Sequence, residues 1–333
     1  MVLIIAEIGM NHDGSLGQAK AFVKAAVECG VDAVKFQTHI AEAETLPEAP
    51  TPGYFDEEPR YEYFKRTALS LEQHKKLRGY AEDQGVEFIS SPFSLEAVDL
   101  LEQANVSTYK IASGEVTNTP LLLRLAKTQK RILLSSGMSS WTELDEAIDT
   151  LRNNGAENIV PLQCTSEYPC PPEHAGLSVM LEMKERYNLP VGLSDHTIGM
   201  GIAIAAVALG AQVVEKHFTL SKKMYGPDAN NSATPEEFKA LVDGIRVVEK
   251  ALSNHVDKDR IADSLSQMKL VFEKSIVAAC DIPAGTILEE SHLAYKKPGD
   301  GISAKEFRNI LGRRCIVGTK ANQPIRYQSL RKD

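Results

Sequence analysis

The sequence has few cysteines, and their spacing matches no cross-link or metal motif. There are five, an odd number, and none forms a CxxC pair: Cys29, Cys164, Cys170, Cys280 and Cys315. Disulfide frameworks and thiolate zinc sites need paired or closely spaced cysteines. Neither is indicated, and we expect all five to be reduced thiols in the core.

Long hydrophobic runs and an excess of positive charge are also missing. No stretch approaches the roughly 18 apolar residues of a membrane-spanning helix, and the short apolar start reaches Glu7 without a basic segment before it. The 37 basic residues are outnumbered by 45 acidic ones, which gives a formal net charge of -8. Proteins that follow a phosphate backbone carry the opposite sign. We expect a cytoplasmic protein with neither a membrane nor a nucleic acid as partner.

What the sequence does contain is an ordinary globular composition in a chain longer than one usual core. Its 333 residues are 43% hydrophobic and 25% charged, unlike disordered or fibrous chains. Chains beyond about 250–300 residues commonly divide into domains. The first expectation is therefore one large domain and a smaller one.

Short β-rich apolar runs alternate with segments of helical period through the first two thirds of the chain. Eight such alternations over about 250 residues suit a (β/α)8 TIM barrel better than an open doubly wound sheet. The predicted fold class is therefore α/β, with a closed barrel. The predicted strands are 3–8, 33–37, 87–90, 108–112, 132–135, 159–163, 190–193 and 212–217.

The pattern changes after residue 252. A polar stretch is followed there by short strand-like pieces interrupted by Pro-Gly turns. These pieces predict a small β-rich second domain. The expected boundaries are 1–255 for the barrel, 256–272 for a linker and 273–333 for the small domain.

Polar residues stand where the predicted strands end. Barrel enzymes build their sites at the carboxyl ends of the strands. Three lysines, three acids and two histidines meeting there would be costly to desolvate without a charged ligand. The polar positions are Glu7, Asn11, Lys35, Gln37, Ser91, Lys110, Ser113, Glu115, Ser135, Ser136, Thr165, Ser166, Ser194, Asp195, His196, Lys216 and His217.

Two histidines end neighbouring strands. His196 follows the seventh predicted strand and His217 ends the eighth, so both imidazoles are expected at one edge of the barrel mouth. This arrangement favours a divalent metal whose other ligands are water and substrate oxygens. Of the other histidines, His74 and His292 are expected in surface elements. His12 and His39 lie in early loops from which they could contact substrate, and neither is assigned a role.

Lys110 has two functional interpretations. A desolvated lysine at a strand end forms Schiff bases in class I aldolases of this fold. The surrounding Lys110-Ile-Ala-Ser113-Gly-Glu115 run suits phosphate oxygens better, because it adds hydroxyl donors and a glycine. A purely structural pairing of Lys110 with Glu115 is the third possibility.

Taken together, these segments resemble the sialic acid synthase family. The resemblance covers essentially the whole chain, because the segment from Lys274, including KKPGDGI at 296–302, is similar to the antifreeze-like (SAF) domain of those enzymes. The matching barrel motifs are AEIGMNHDG at 6–14, VKFQT at 34–38, SPF at 91–93, YKIASGE at 109–115, SSGM at 135–138, GLSDHT at 192–197, EKHFT at 215–219 and GPD at 226–228.

The resemblance implies a reaction. This family condenses phosphoenolpyruvate with an N-acylated hexosamine aldehyde, such as N-acetylmannosamine, and forms a nonulosonic acid and phosphate. The metal on His196 and His217 would be Mn²⁺, or Mg²⁺ or Co²⁺, and would polarise the aldehyde. The family forms domain-swapped homodimers, so the same assembly is expected here.

The resemblance also implies individual roles. Glu115 would be the base that activates water. Lys35 and Gln37 would hold the carboxylate of phosphoenolpyruvate. Glu7, Phe93 and Tyr168 would shape the sugar site. The phosphate ligands would be Lys110, Ser91, Ser113, Ser135 and Ser194.

Two positions depart from the family pattern. Ser166 stands where the bacterial sialic acid branch usually has asparagine, and Lys297 replaces an arginine that precedes Pro-Gly. Lysine cannot make the planar two-pronged hydrogen bonds of arginine. The acceptor sugar therefore stays open among neuraminate, legionaminate, pseudaminate, deaminated, phosphorylated and spore-coat variants. The competing functions are a Schiff-base aldolase using Lys110 and a non-catalytic carbohydrate-binding protein.

Overall fold

The chain folds into two compact units, seen in a computed structural model that describes residues 1–50 and 57–332. One unit spans Met1–Ser253 and the other spans Asn254–Asp333. Within the described residues, no helix is long and apolar enough to cross a membrane.

The first unit is a closed parallel barrel, which confirms the predicted fold. Within the described residues, eight strands pair in chain order, and the first and last strands also pair with each other. The strands are β1 (Leu3–Gly9), β2 (Ala33–Thr38), β3 (Glu87–Pro92), β4 (Thr108–Ile111), β5 (Arg131–Ser135), β6 (Ile159–Cys164), β7 (Gly192–Asp195) and β8 (Val213–His217).

The seventh strand begins two residues later than predicted. The expected start was Pro190, but β7 runs from Gly192 to Asp195. Proline has no backbone N–H to give to a strand ladder. Pairing therefore starts at Gly192, which faces Leu162 on one side and Val213 on the other.

Helices follow the strands and enclose the barrel. Helix α4 (Leu71–Asp83) begins with a capping box in which Ser70 and Gln73 bond reciprocally, and Ser140 and Glu143 do the same before α7 (Trp141–Asn153). In the described part of this unit the helices are α1 (Leu16–Cys29), α2 (Ala41–Glu44), α3 (Arg60–Thr67), α4 (Leu71–Asp83), α5 (Leu95–Gln103), α6 (Thr119–Ala126), α7 (Trp141–Asn153), α8 (Leu177–Tyr187), α9 (Gly201–Ala208) and α10 (Pro235–Ser253).

Strand alternation gives the barrel two different layers. Side chains such as Ile4 and Val34 pack outward under the helices. Their neighbours point into the barrel and fill its lower part: Ile5, Ala33, Ile89, Leu133, Val160, Leu162 and Val213. Because inward positions recur every second residue, the next inward side chains are polar: Glu7, Lys35, Ser91, Ser135 and Glu215. The barrel is thus apolar below and charged at the mouth.

The second unit has a small core and little regular structure. Its strands are β9 (Ser275–Ala278), β10 (Leu293–Lys296), β11 (Arg314–Cys315) and β12 (Leu330–Arg331), which form two antiparallel pairs. Its helices are α11 (Lys258–Ser264), α12 (Ser266–Phe272) and α13 (Phe307–Ile310). The segment expected to be a linker therefore contains two short helices, and neither has a buried residue. Ile276, Ile310 and Ile325 lie in the core of this unit.

Candidate active site

One cavity of about 420 Å³ opens at the carboxyl ends of the barrel strands. It brings together the residues of this unit singled out above as metal or substrate ligands, as the base or as the wall of the sugar site, but Asn11, Ser136, Thr165, Asp195 and Lys216, also expected at the mouth, do not line it. The lining residues are Glu7, Lys35, Gln37, Ser91, Phe93, Lys110, Ser113, Glu115, Ser135, Ser166, Tyr168, Ser194, His196 and His217. It is also lined by residues without a predicted role, among them Met10, His39, Phe64, Met138, Cys164, Glu215 and Asp228.

Four buried charges form a ladder at the bottom of this cavity. Lys35 Nζ lies 2.7 Å from Glu7 Oε2 and 3.7 Å from Glu215 Oε1, and Lys110 Nζ lies 2.9 Å from the same Glu215 oxygen. Burial disfavours the charge on Lys35, but Glu215 and Glu7 outweigh burial and raise the pKa of Lys35. Burial likewise opposes ionisation of Glu215, but Lys110 and Lys35 lower its pKa. Lys35 and Glu215 are therefore held in their charged forms.

Lys110 does not form the structural ion pair with Glu115 that the sequence left possible. Its ammonium contacts Glu215 instead. A Schiff base needs a neutral amine, whereas an adjacent carboxylate stabilises the ammonium. The geometry therefore favours anion binding by Lys110 over nucleophilic attack.

Serine hydroxyls surround the two lysines. Ser91 Oγ accepts a hydrogen bond from Lys35 (3.3 Å), and Ser194 Oγ donates one to Glu215 (3.0 Å). Ser113 Oγ accepts from the backbone N–H of Gly137 (3.1 Å). Lysine ammonium groups and hydroxyls in a concave site are a chemically suitable cradle for an oxyanion.

Glu115 lies beside this cradle, in a short 3₁₀ turn (Ser113–Glu115) rather than on a strand. Asn118 Nδ2 donates to its Oε2 at 2.7 Å. Burial raises the pKa of Glu115 despite that hydrogen bond. A carboxyl group with a raised pKa suits proton transfer near neutral pH.

The two predicted metal ligands are neighbours, with ring centroids 5.4 Å apart. His196 Nδ1 donates to the carbonyl oxygen of Thr165 at 2.8 Å, which leaves its Nε2 for a ligand. His217 Nδ1 is buried without a hydrogen-bond partner and lies 3.9 Å from Asp228 Oδ2. Burial lowers the pKa of His217 and so favours the neutral ring that binds metals. This donor set fits a divalent ion.

The fit is limited to two imidazoles. Among the described residues, no group of three or more His, Cys, Asp or Glu side chains is arranged to hold a metal. Remaining positions around an ion would therefore have to be filled by water or substrate oxygens, as the sequence suggests.

Sequence reasoning missed several polar lining residues, among them Glu215, Cys164 and Asp228. Glu215 lies two residues before His217 and therefore on the same inward face, a signal that strand alternation provides. Cys164 occupies the same face as Ser166. Its burial opposes thiolate formation, but His196 Nδ1 at 3.8 Å helps lower the pKa of Cys164 to about 7. Asp228 lies in the GPD motif at 226–228, but the sequence predicted no role for it.

Asp195 and Lys216 were expected at the mouth, and that expectation is wrong. They occupy outward positions and form their own buried pair, with Lys216 Nζ 2.7 Å from Asp195 Oδ2. Lys216 also donates to the carbonyl oxygen of Thr197, and Thr197 bonds Asp195 through its N–H and hydroxyl. The pair joins β7 to β8, and each of its members immediately precedes one of the two histidines in the chain.

Two further expectations are corrected. His74 is buried rather than at the surface, with Nε2 3.1 Å from Thr38 Oγ1. Cys280 is exposed, whereas the other four cysteines are buried as expected. Lys297 belongs to the second unit, where its ammonium lies 4.9 Å from the centroid of the Phe272 ring.

A closed barrel with a buried, charged cavity at its carboxyl end defines a TIM-barrel enzyme site for an anionic substrate. The chain matches the NeuB family over residues 22–257 and the SAF domain over residues 273–331. It belongs to the NeuB family, and the resemblance to sialic acid synthases is confirmed.

Several relatives are named as synthases of legionaminic, pseudaminic or N-acetylneuraminic acid. The chain is 41% identical to N,N'-diacetyllegionaminic acid synthase of Campylobacter jejuni, over 97% of this chain and 98% of the relative. It is 36% identical to pseudaminic acid synthase of Helicobacter pylori, over 97% and 96%. A crystal structure of N-acetylneuraminic acid synthetase from Leptospira borgpetersenii, in complex with citrate, has a TM-score of 0.70 and 28% identity, covering 81% of this chain and 92% of that one.

The Asp195–Lys216 pair generates a stability prediction. Lys216→Met leaves the Asp195 carboxylate buried without its cation, so we expect the free energy of unfolding to fall by about 3–5 kcal/mol. The measurement is urea denaturation followed by the fluorescence of Trp141, the single tryptophan.

Lys222→Met is the matched control. Lys222 makes an ion pair of the same 2.7 Å length with Glu237, but both side chains are substantially exposed. An exposed pair contributes roughly 0–1 kcal/mol. Equal effects of the two substitutions would contradict a stabilising role for the buried pair.

Proposed function

We propose that this protein condenses phosphoenolpyruvate with an N-acylated hexosamine aldehyde and releases a nonulosonic acid and phosphate. The observation that carries the proposal is the pair of buried, charged lysines surrounded by serine hydroxyls in the cavity of a NeuB-family barrel. Phosphoenolpyruvate has two separate anionic groups, and this cavity offers a cation for each. We further propose that this activity takes place in the cytoplasm.

In this proposal Lys110 binds the phosphate together with four serines. Lysine has three N–H donors, and Lys110 gives one to Glu215, so its other donors are available to phosphate oxygens. Lys35 and Gln37 hold the carboxylate. The serines are Ser91, Ser113, Ser135 and Ser194.

The proposed chemistry is carbon–carbon bond formation followed by loss of phosphate. As C3 of phosphoenolpyruvate attacks the aldehyde carbon, positive charge develops at C2. Glu115 takes a proton from water, the water oxygen bonds to C2, and the resulting intermediate expels phosphate with cleavage of the C–O bond. A divalent ion on His196 and His217, Mn²⁺ in our proposal with Mg²⁺ or Co²⁺ as alternatives, would supply Lewis-acid polarisation of the aldehyde oxygen.

The acceptor sugar is proposed to lie against the outer wall of the cavity. Phe93, Tyr168 and Met138 give that wall an apolar surface, which suits the methyl of an N-acyl group. Ser166 and Glu7 add polar contacts. The legionaminate precursor leads the candidate acceptors, because the Campylobacter jejuni legionaminic acid synthase is 41% identical, compared with 36% for the pseudaminic acid synthase and 34% for the N-acetylneuraminate-9-phosphate synthase of Mus musculus.

A homodimer in which Lys297 reaches the partner's sugar site completes the proposal. Exposed apolar side chains on α11 and α12 support an interface, because such patches are usually covered in an assembly. These side chains are Ile261 on α11 and Met268, Leu270, Val271 and Phe272 on α12, with Leu265 exposed between the two helices.

The direct test measures phosphate release from phosphoenolpyruvate across a panel of hexosamine aldehydes. We expect release that depends on one or a few N-acylated acceptors. Borohydride trapping with pyruvate serves as the opposing assay, because covalent labelling of Lys110 without acceptor-dependent phosphate release would favour the aldolase instead. Lack of release with every acceptor, from protein that binds phosphoenolpyruvate, would refute the proposal.

Glu115→Gln tests the assigned base. We expect kcat to fall by roughly 10²-fold or more with little change in phosphoenolpyruvate affinity. Because the base must be ionised, wild-type kcat should fall as the pH drops through the raised pKa of Glu115, and the variant should lose that acidic limb. Oxygen-18 from water should appear in the acid product. Its appearance in phosphate would contradict C–O cleavage.

His196→Ala and His217→Ala test the metal site. Each should weaken Mn²⁺ binding, measured by calorimetry, because each removes one of two protein ligands. His174→Ala is the control, since that histidine is exposed and pairs with Glu167 outside the cavity. Unchanged Mn²⁺ affinity in both cavity variants, or full turnover after exhaustive chelation, would refute the assignment.

A further inference from the structure

His39 is a buried histidine in the cavity wall to which the proposed reaction assigns no role. Only 2% of its side chain is exposed. Its ring lies between Phe64 and Phe93, with centroid distances of 3.8 and 4.2 Å and interplanar angles of 7° and 15°. All three rings line the cavity.

Both ring nitrogens of His39 face hydrogen-bond acceptors. Nδ1 is 2.6 Å from Glu44 Oε1, and Nε2 is 3.1 Å from Gln37 Oε1. The Gln37 amide is oriented from its other end, because its Nε2 donates to Glu7 Oε1 at 3.0 Å. An amide oxygen can only accept. Nε2 of His39 therefore carries a hydrogen, whichever member of the Glu44–His39 pair holds the second proton.

Glu44 holds the other nitrogen of the His39 ring, with its Oε1 2.6 Å from Nδ1. The Glu44 side chain is only 5% exposed, and a buried carboxylate requires a compensating partner. Glu44, His39, Gln37 and Glu7 thus form a continuous hydrogen-bonded chain that ends at Lys35.

We propose that His39 is a positioning residue whose Nε2–H fixes the side-chain amide of Gln37. The held amide keeps its oxygen toward His39, gives one hydrogen to Glu7 and has its second hydrogen available to an anion in the cavity. This inference rests on the proposed function for the identity of that anion, the carboxylate of phosphoenolpyruvate. The His39 ring thus contacts Phe64 and Phe93 in the cavity wall through its faces and Gln37 through its Nε2–H.

The first test uses the wild-type protein and needs no turnover. Nitrogen-15 spectra of the histidine side chains, with His39 assigned by its absence from His39→Phe, should show a protonated Nε2 at neutral pH. An unprotonated Nε2 would overturn the proposal, because Gln37 would then have no donor on that side.

The second test separates the donor from the ring. Glu44→Gln serves as the background, because it removes the carboxylate that would be left buried without a partner. In it, His39→Phe retains the stacked ring without a donor, whereas His39→Gln retains a nitrogen donor near the position of Nε2 without the ring. We expect His39→Phe to weaken phosphoenolpyruvate binding about fivefold to tenfold, as for loss of one hydrogen bond. The phosphoenolpyruvate affinity of the His39→Gln variant should stay within about twofold of the Glu44→Gln background.

Calorimetry measures the phosphoenolpyruvate affinity, and steady-state kinetics should show the change in KM with little change in kcat. Equal weakening in both variants would mean that the ring acts by packing alone and would overturn the proposal. Wild-type affinity in the His39→Phe variant would overturn it as well. If the wild type releases no phosphate with any acceptor, the proposed function fails, while the nitrogen-15 result still decides the role of His39.

Discussion

The four charged side chains that meet inside the barrel mouth, Glu7, Lys35, Lys110 and Glu215, impose the condition on which the rest of the structure depends. A buried charge without a partner costs several kcal/mol, so the folded barrel must place all four side chains in contact with one another. They come from β1, β2, β4 and β8. A one-residue shift of any of these strands would turn its charge into the apolar layer beneath the helices. The ladder therefore specifies strand register, and its two positive and two negative groups balance before any substrate binds.

This arrangement explains how much of the site the sequence predicts. Lys35 and Lys110 were recognisable because strand ends in this fold carry function. Counting every polar strand end as part of the mouth was the error, because Asp195 and Lys216 alternate with Ser194 and Glu215 and point the other way. Applying the two-residue period would have selected Glu215 and excluded Asp195 and Lys216 from the sequence alone.

Other features depend on contacts between distant segments and carry no local signal. The His39 ring is held by Phe64 and Phe93, which come from different parts of the chain, and the raised pKa of Glu115 comes from burial that only the folded barrel creates. Helices α11 and α12 were missed for a related reason. Their sequence is polar with scattered apolar residues, and without a buried face the helical period gives a weak signal.

The site divides into parts with different freedom to vary. Its bottom is built on strands, where a change in one charge disturbs three others, so the part of the cavity proposed to bind phosphoenolpyruvate is tightly constrained. Its outer wall is built on loops and on α3, where Phe64, Tyr168 and Ser166 can change without affecting strand register. Relatives that make different sugar acids would then differ mainly in that wall.

His39 connects the two parts, because its ring packs on Phe64 and Phe93 while its Nε2–H holds Gln37. Under the proposed function, a substitution in the wall that shifts this ring is therefore expected to alter phosphoenolpyruvate binding as well as acceptor choice, and this coupling restricts which residues the wall can carry.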